Sequence, residues 1–205
     1  MMRILEELRR LLMMLGSQGL WLTLLAGIDK AGRWLTGRPV WRFSRITPQI
    51  VLGGQPDERV LPRLKQYGIT GVINMREEHD YVELALAGPL NYLHLPTIDN
   101  TAPTLEHLCE GVAFMAEEIR QGGQVYIHCW EGLGRGPTML AAYLVTCGMT
   151  PSEAWARIRK VRPFIRPTDT QKAQIERLAR EGCPPPMIDA IEASHPTTAD
   201  ISDPA

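Results

Sequence analysis

The sequence predicts an α/β fold, with a small and mainly parallel sheet flanked by helices on both faces. From Ile46 onward, short apolar runs of strand length alternate with amphipathic runs of helical length, which is typical of βαβ units. The helical runs also carry start signals, including capping boxes at residues 150–153 and 168–171. With 205 residues, 44% of them hydrophobic and 22% charged, the chain has room for one domain with extensions.

The predicted elements can be placed in order along the chain. Apolar runs predict strands, and Gly or Pro residues mark where the helices between them end. The predicted strands are 50–52, 71–75, 92–95 and 124–128, and the predicted helices are 57–67, 80–87, 104–120, 137–147, 150–161 and 168–180. Together they define a predicted domain over residues 46–182.

The two ends of the chain differ from this domain. Residues 1–45 predict a helical extension, in which apolar positions recur at helical spacing and a polar break at 16–19 precedes a second apolar stretch at 20–28. A helical hairpin packed on the domain or on a partner is the first interpretation, an interfacial membrane helix the second and a true span the third. Residues 183–205 contain three consecutive prolines and small polar residues, which predict a disordered tail.

Composition excludes several classes of function. The net charge of −1 argues against a nucleic-acid partner. The four cysteines do not have CxxC spacing and the five histidines are scattered, so we expect neither a metal nor another cofactor. A disulfide framework is not expected either. The simplest localisation is therefore the cytoplasm, with peripheral membrane contact through residues 1–45 left open.

The informative motif is HCWEGLGR, residues 128–135. Cys129 directly follows an apolar strand, two glycines lie in the loop, and a helix is predicted soon after Arg135. A loop between the carboxyl end of a parallel strand and a helix N-terminus is a common anion site in α/β proteins. The predicted phosphate-binding residues are Trp130, Glu131, Gly132, Leu133, Gly134 and Arg135.

The chemistry of this loop assigns roles to its residues. Converging main-chain N–H groups, the helix N-terminus and Arg135 all favour negative charge at the Cys129 sulfur. The same donors fit the oxygens of a phosphoryl group, so thiolate attack would give a phosphocysteine that water hydrolyses, without a metal. Asp99, in the loop after the third predicted strand, is the candidate general acid. Its alternative role is that of a turn or cap residue.

The HCx5R motif, with an aspartate thirty residues before the cysteine, resembles the dual-specificity branch of the protein tyrosine phosphatase superfamily. Further matches over residues 46–180 are GGQPDE at 53–58, GVINMREE at 71–78, TMLAAYLV at 138–145 and ARIRKVRP at 156–163, followed by Gln171. The resemblance implies a protein tyrosine phosphatase-like fold, with Cys129 as nucleophile, Arg135 as phosphate ligand and Asp99 as acid. It also implies supporting roles for His128, which helps to fix the cysteine and favours its ionised form, and for Thr138.

Two positions qualify the resemblance. Gly136 stands where relatives carry a Ser or Thr that stabilises the departing thiolate, which predicts a slow second chemical step. Gln171 could orient the hydrolytic water as in some relatives, but its capping box with Thr168 explains it more simply.

These features support several functions. The first hypothesis is hydrolysis of phosphotyrosine, and of phosphoserine or phosphothreonine, in proteins or small phosphomonoesters. The closest rival is a lipid or inositol phosphatase, favoured by the N-terminal segment and by a likeness of GVINMREEHDY to phosphatidylglycerophosphate phosphatases, and disfavoured by Glu131 in the loop. A catalytically weak phosphate-binding scaffold and a rhodanese-like sulfur transferase are further alternatives. The basic segment 157–180, with eight Lys or Arg and two acids, predicts a surface that attracts phosphorylated substrates.

Overall fold

The computed structural model describes residue 28 and residues 43–56, 58–80 and 87–183. Five strands form one sheet in the order β1-β2-β5-β3-β4. Their bounds are β1 Ser44–Arg45, β2 Ile50–Gly53, β3 Gly71–Arg76, β4 Asn91–Thr97 and β5 Val125–His128. The four longer strands are parallel, and β1 pairs antiparallel with β2 at the edge. The predicted parallel sheet is therefore confirmed, and β1 is an addition that the sequence did not reveal.

The helices follow the predicted order with shifted boundaries. Over residues 43–183, as far as they are described, the helices are a 3-10 helix Leu61–Tyr67 and the α-helices α1 Leu105–Arg120, α2 Arg135–Thr146, α3 Pro151–Val161 and α4 Asp169–Glu181. Both predicted capping boxes are present, on α3 and α4. The helix predicted to start at residue 137 begins two residues earlier, at Arg135.

Both faces of the sheet are covered, as predicted. Alternate strand residues point to opposite faces, so Val51 and Val72 pack with Leu61 of the 3-10 helix. Their neighbours Leu52 and Ile73 face the larger core, which the α-helices complete. Ten consecutive residues of α2, from Arg135 to Leu144, are buried, so α2 is the central helix of that layer.

One disulfide contradicts the expectation drawn from cysteine spacing. Cys109 of α1 is bonded to Cys183, just after α4, with their Cα atoms 5.5 Å apart, whereas Cys129 and Cys147 are free. Because α1 and α4 both pack against α2, cysteines 74 positions apart meet in space. Cysteine usage therefore gives no support to a reducing compartment.

Several predictions lie outside the described residues. These are the structure of the N-terminal extension up to residue 42, residues 81–86 of the predicted 80–87 helix, Asp57 at the start of the predicted 57–67 helix, and the tail after Cys183. The domain boundaries stay a prediction. Across the described ranges, no helix combines the length and the apolar character needed to cross a membrane.

Candidate active site

The HCWEGLGR segment forms a tight loop between β5 and α2. Cys129 follows the last residue of β5 and is almost fully buried. Gly132 has φ of +70°, and a Cβ atom there would lie 2.4 Å from the Gly53 carbonyl oxygen. No other residue type fits, because both the backbone angle and the close approach of β2 exclude a side chain.

The carbonyl groups of the loop face the surrounding protein. Those of residues 130–134 all accept hydrogen bonds. The Trp130 carbonyl accepts from the Gln55 amide at 3.0 Å, and the Glu131 and Gly132 carbonyls accept from Arg162 Nη2 at 2.8 Å and Nε at 2.9 Å. The Leu133 carbonyl accepts from the Arg166 amide at 2.7 Å, and the Gly134 carbonyl from the Thr138 amide at 2.9 Å. In a trans peptide the C=O and the following N–H point in opposite directions. The N–H groups of residues 131–135 are therefore directed away from these donors, which forms an anion nest beside Cys129.

Arg162 anchors the outer side of this loop. Its exposed fraction is 0%, its Nη1 lies 3.1 Å from Ser44 Oγ, and its guanidinium stacks on Phe164 at 4.7 Å. The expectation that the basic segment 157–180 forms a surface field is wrong for this residue. Arg162 is buried because three polar partners compensate its desolvation.

Arg135 lies on the inner side and is held by acids and carbonyls. Its guanidinium is 1% exposed and donates to both Glu78 carboxylate oxygens at 3.0 and 3.2 Å and to the Thr97 carbonyl at 2.8 Å. Its Nη2 is 3.2 Å from Asp99 Oδ1. The predicted acid and the predicted phosphate ligand are thus brought together from two loops at the carboxyl edge of the sheet.

Six of the predicted site residues line one cavity of about 340 Å³, whereas His128, Gly132, Arg135 and Thr138 are not among its lining residues. Its walls combine the loop after β4, the Cys129 loop and the start of α4. The lining residues are Asp99, Asn100, Cys129, Trp130, Glu131, Leu133, Gly134, Arg166 and Gln171. An anion nest, a thiol and a carboxylic acid around one cavity are the groups needed for phosphoryl transfer to sulfur.

The sequence model described as "Dual specificity phosphatase, catalytic domain" matches residues 50–181, the part of the chain that contains this cavity. The chain belongs to that family. It also resembles individual proteins over the same region, and it spans 38–66% of the length of the first curated relatives it matches.

Two relatives and one solved structure illustrate these similarities. The Arabidopsis thaliana protein named phosphatidylglycerophosphate phosphatase PTPMT1 is 32% identical over 60% of this chain and 38% of its own length. The human phosphatidylglycerophosphatase and protein-tyrosine phosphatase 1 is 36% identical over 60% of this chain and 66% of its own. The crystal structure of PTPMT1 in complex with PI(5)P has a TM-score of 0.62 and 32% identity, and the match covers 68% of this chain and 95% of that one.

The dual-specificity phosphatase contains a site residue that sequence reasoning missed. Glu78 bridges Arg135 and Arg76, whose Nε lies 3.0 Å from Glu78 Oε1. Burial alone would raise the pKa of Glu78, but hydrogen bonds from Arg135, its own amide and Arg76 lower that pKa to about 2. Glu78 stood in the quoted GVINMREE match, yet no local signal pairs it with an arginine 57 residues away.

His128 supports the loop as a neutral group. Its ring is fully buried, and this burial lowers its pKa to about 3 although the contact with the Cys129 carbonyl acts in the opposite direction. Nδ1 lies 3.3 Å from that carbonyl oxygen, to which only a protonated Nδ1 can donate. A neutral imidazole helps to fix the Cys129 backbone but supplies no positive charge to the sulfur.

The surroundings of Gly136 show where the missing hydroxyl would lie. A Cβ at Gly136 would lie 3.7 Å from the Cys129 amide nitrogen, so a Ser side chain there would stand beside the predicted nucleophile. Thr138 does not replace it, because its hydroxyl donates to the Gly134 carbonyl at 2.8 Å. Thr138 therefore bonds back within the first turn of α2, whose N-cap Gly134 has no side-chain cap.

Gln171 makes the helix cap that the sequence favoured and a second bond to the Asp99 loop. Its Oε1 accepts from the Thr168 amide at 2.9 Å, which completes the capping box. Its Nε2 donates to the Thr101 carbonyl at 2.8 Å, and the side chain lines the cavity of the phosphatase. The preferred cap is confirmed, and the contact with the Asp99 loop is an addition.

No group of three or more potential metal-binding side chains occurs in the part of the chain that the structure describes.

Proposed function

We propose that this phosphatase removes the terminal phosphate monoester of a glycerophospholipid headgroup, with phosphatidylglycerophosphate as the substrate named by its relatives. The reaction is supported by one observation above all, the outward carbonyls that turn a ring of N–H groups toward Cys129. The lipid substrate is supported by the 36% identity to the human phosphatidylglycerophosphatase. This reverses the order of the two hypotheses derived from sequence.

The proposed mechanism has two displacements at phosphorus. The Cys129 thiolate attacks the phosphorus and forms an S–P bond while the P–O bond to the headgroup alcohol breaks and Asp99 donates a proton to the leaving oxygen. Water then attacks the phosphocysteine, Asp99 takes up its proton, and the thiolate and inorganic phosphate are released. The N–H ring and Arg135 stabilise the charge on the phosphoryl oxygens in both steps.

Hydrolysis of phosphotyrosine in proteins is the second candidate. Glu131 lines the cavity, and none of the described residues that line it is a lysine. A carboxylate there disfavours headgroups with several negative charges, but it tolerates a phosphotyrosine residue. The human relative is also named a protein-tyrosine phosphatase.

The test compares three substrates: dihexanoyl phosphatidylglycerophosphate as soluble monomers, a phosphotyrosine peptide and p-nitrophenyl phosphate. We expect kcat/KM to be highest for the lipid. Cys129→Ser should abolish turnover of all three, whereas Cys147→Ser, which changes the other free cysteine, should retain it. Asp99→Asn should reduce turnover most for the alkyl ester, whose leaving alcohol has the highest pKa and so depends most on a proton donor.

Three outcomes would contradict the proposal. Turnover by Cys129→Ser would refute the nucleophile. A phosphotyrosine peptide hydrolysed faster than the lipid would assign the protein substrate instead. Release of no more than one phosphate per wild-type molecule would identify a binding scaffold.

A further inference from the structure

Two exposed apolar side chains lie directly beside the residues proposed for chemistry. Ile98 precedes Asp99 and is 58% exposed, and Trp130 follows Cys129 and is 46% exposed. We call Ile98 and Trp130 the apolar rim. They belong to different loops, after β4 and after β5, that line the same cavity through Asp99, Cys129 and Trp130.

Trp130 is held in a fixed position at the mouth of this cavity. The Arg76 guanidinium stacks on the indole ring at 4.6 Å, and Arg76 is itself fixed by Glu78 at 3.0 Å. The Trp130 carbonyl accepts from the Gln55 amide at 3.0 Å. An indole that stacks on a fixed cation and is still 46% exposed is preorganised for contact with a partner.

Ile98 is held at the opposite loop by its own turn. Its carbonyl accepts hydrogen bonds from the Thr101 amide at 3.1 Å and from the Thr101 hydroxyl at 2.8 Å. The turn keeps the side chain exposed next to Asp99. A molecule that places a phosphate at Cys129 enters a cavity lined by Trp130 and Asp99, and Ile98 is the residue directly before Asp99.

We propose that the apolar rim inserts into the lipid surface that carries the substrate, so that the enzyme takes phosphate monoesters from a membrane interface. This inference rests on the proposed lipid substrate. Tryptophan suits such an interface because its ring is apolar and its N–H polar. Two side chains are far too small a patch for a stable protein complex, which buries about 1,200–2,000 Å², whereas a lipid surface needs only local anchors that hold the cavity over a headgroup.

The experiment measures one headgroup in two physical forms. Dihexanoyl phosphatidylglycerophosphate is supplied as monomers below its critical micelle concentration, and the dioleoyl lipid is supplied in phosphatidylcholine vesicles. The readout is the ratio of the vesicle rate to the monomer rate, for the full-length wild type, Ile98→Ser, Trp130→Ala and the double variant. The control is Tyr67→Ser, which removes an aromatic side chain that is 63% exposed. Tyr67 lies shortly before the start of β3, at the edge of the sheet opposite to the cavity.

We expect Ile98→Ser to keep the monomer rate and to lower the ratio, and the double variant to lower the ratio about tenfold, which corresponds to about 1.4 kcal/mol. Tyr67→Ser should leave the ratio unchanged.

Unchanged ratios in both rim variants, with the lipid hydrolysed in both forms, would overturn the proposed membrane insertion of the rim and leave the proposed function intact. If neither lipid form is hydrolysed while p-nitrophenyl phosphate is, the lipid function itself fails. A phosphotyrosine peptide whose kcat/KM falls as far as the vesicle rate in Ile98→Ser would assign the rim to a peptide and overturn the proposal.

Discussion

Glu78 shows how one carboxylate can organise two arginines with different tasks. It binds Arg135 through both oxygens and Arg76 through one of them. Arg135 faces Asp99, while Arg76 supports Trp130. The carboxylate therefore connects the residue proposed to bind phosphate with the residue at the cavity mouth.

Replacing Glu78 by Gln should reduce kcat/KM about tenfold or more, because Arg135 loses the anion that fixes its guanidinium. The pKa of Glu78, about 2, lies below its usual 4.5. Its ionised form therefore contributes stability that is fully present above pH 4.5 and is lost only as the pH falls toward 2. The plateau of a pH–rate profile should drop without any shift of the acid limb between pH 5 and 7.

The exposed neighbour Glu77 provides the matched control. Glu77→Gln removes the same charge one residue away and should leave the profile unchanged. An acid limb that moves in Glu78→Gln would mean that Glu78 itself titrates in the working range, contrary to the bonding observed.

Gly136 should limit the second half of the reaction. Without a hydroxyl near Cys129, the thiolate leaves the phosphocysteine with less stabilisation, so wild type should show a burst of alcohol release followed by slow turnover. Gly136→Ser should raise the steady-state rate severalfold and shrink the burst. Its Cβ would lie 3.2 Å from Leu52 Cδ1, which requires a shift of a few tenths of an ångström.

Gly136→Ala separates the hydroxyl from the added carbon. The Ala variant meets the same Leu52 side chain but offers no hydrogen bond, so its steady-state rate should not rise. Equal gains in both variants would attribute the effect to backbone stiffening instead of thiolate stabilisation.

At the scale of elements, α4 is fastened to the loop that carries Asp99. Gln171 caps its own helix through Thr168 and holds that loop through the Thr101 carbonyl. Gln174 adds a second tie, with Nε2 2.9 Å from the Pro103 carbonyl. The position of the proposed acid thus depends on a helix whose contacts with its loop span 70 and 71 positions of the chain.

Gln171→Ala should therefore lower both stability and kcat. Loss of the cap costs about 1 kcal/mol, and the Thr101 carbonyl loses its donor. Glu153→Ala is the matched control, since it removes the same position of the capping box on α3, away from the cavity. Chemical denaturation should show a loss in both variants, but kcat should fall only in Gln171→Ala. Equal kcat values would mean that the tie to the Asp99 loop has no catalytic effect.

At the scale of the whole molecule, the Cys109–Cys183 disulfide closes a loop of 74 residues. Cross-linking a loop of this length stabilises a domain by roughly 2–4 kcal/mol. Reductant should therefore lower the unfolding midpoint of Cys129→Ser, a background that removes the reactive thiol. Adding Cys183→Ala should lower it similarly and abolish any further effect of reductant. A midpoint insensitive to reductant would contradict a contribution from this bond.

The sequence allowed the fold and part of the site to be predicted, for identifiable reasons. The parallel strands and both capping boxes follow from local patterns, and the loop at 128–135 combines its glycines, cysteine and arginine within eight residues. The strand β1 has only two residues and no periodicity to detect. Glu78, Arg162 and the disulfide depend on partners that the fold brings together from 57, 30 and 74 positions away, and a single sequence carries no signal for such pairings.

The buried Arg162 has a consequence for how such a loop can be built at all. Every peptide plane that offers a donor to a substrate must present an acceptor on its reverse, and Arg162 satisfies two of those reverse sides at once. The polarity of the loop is therefore imposed from behind, by a cation that the substrate never meets. Without Arg162, two peptide planes could flip and present their carbonyl oxygens to an anion. The pocket would then repel its ligand although the same residues line it.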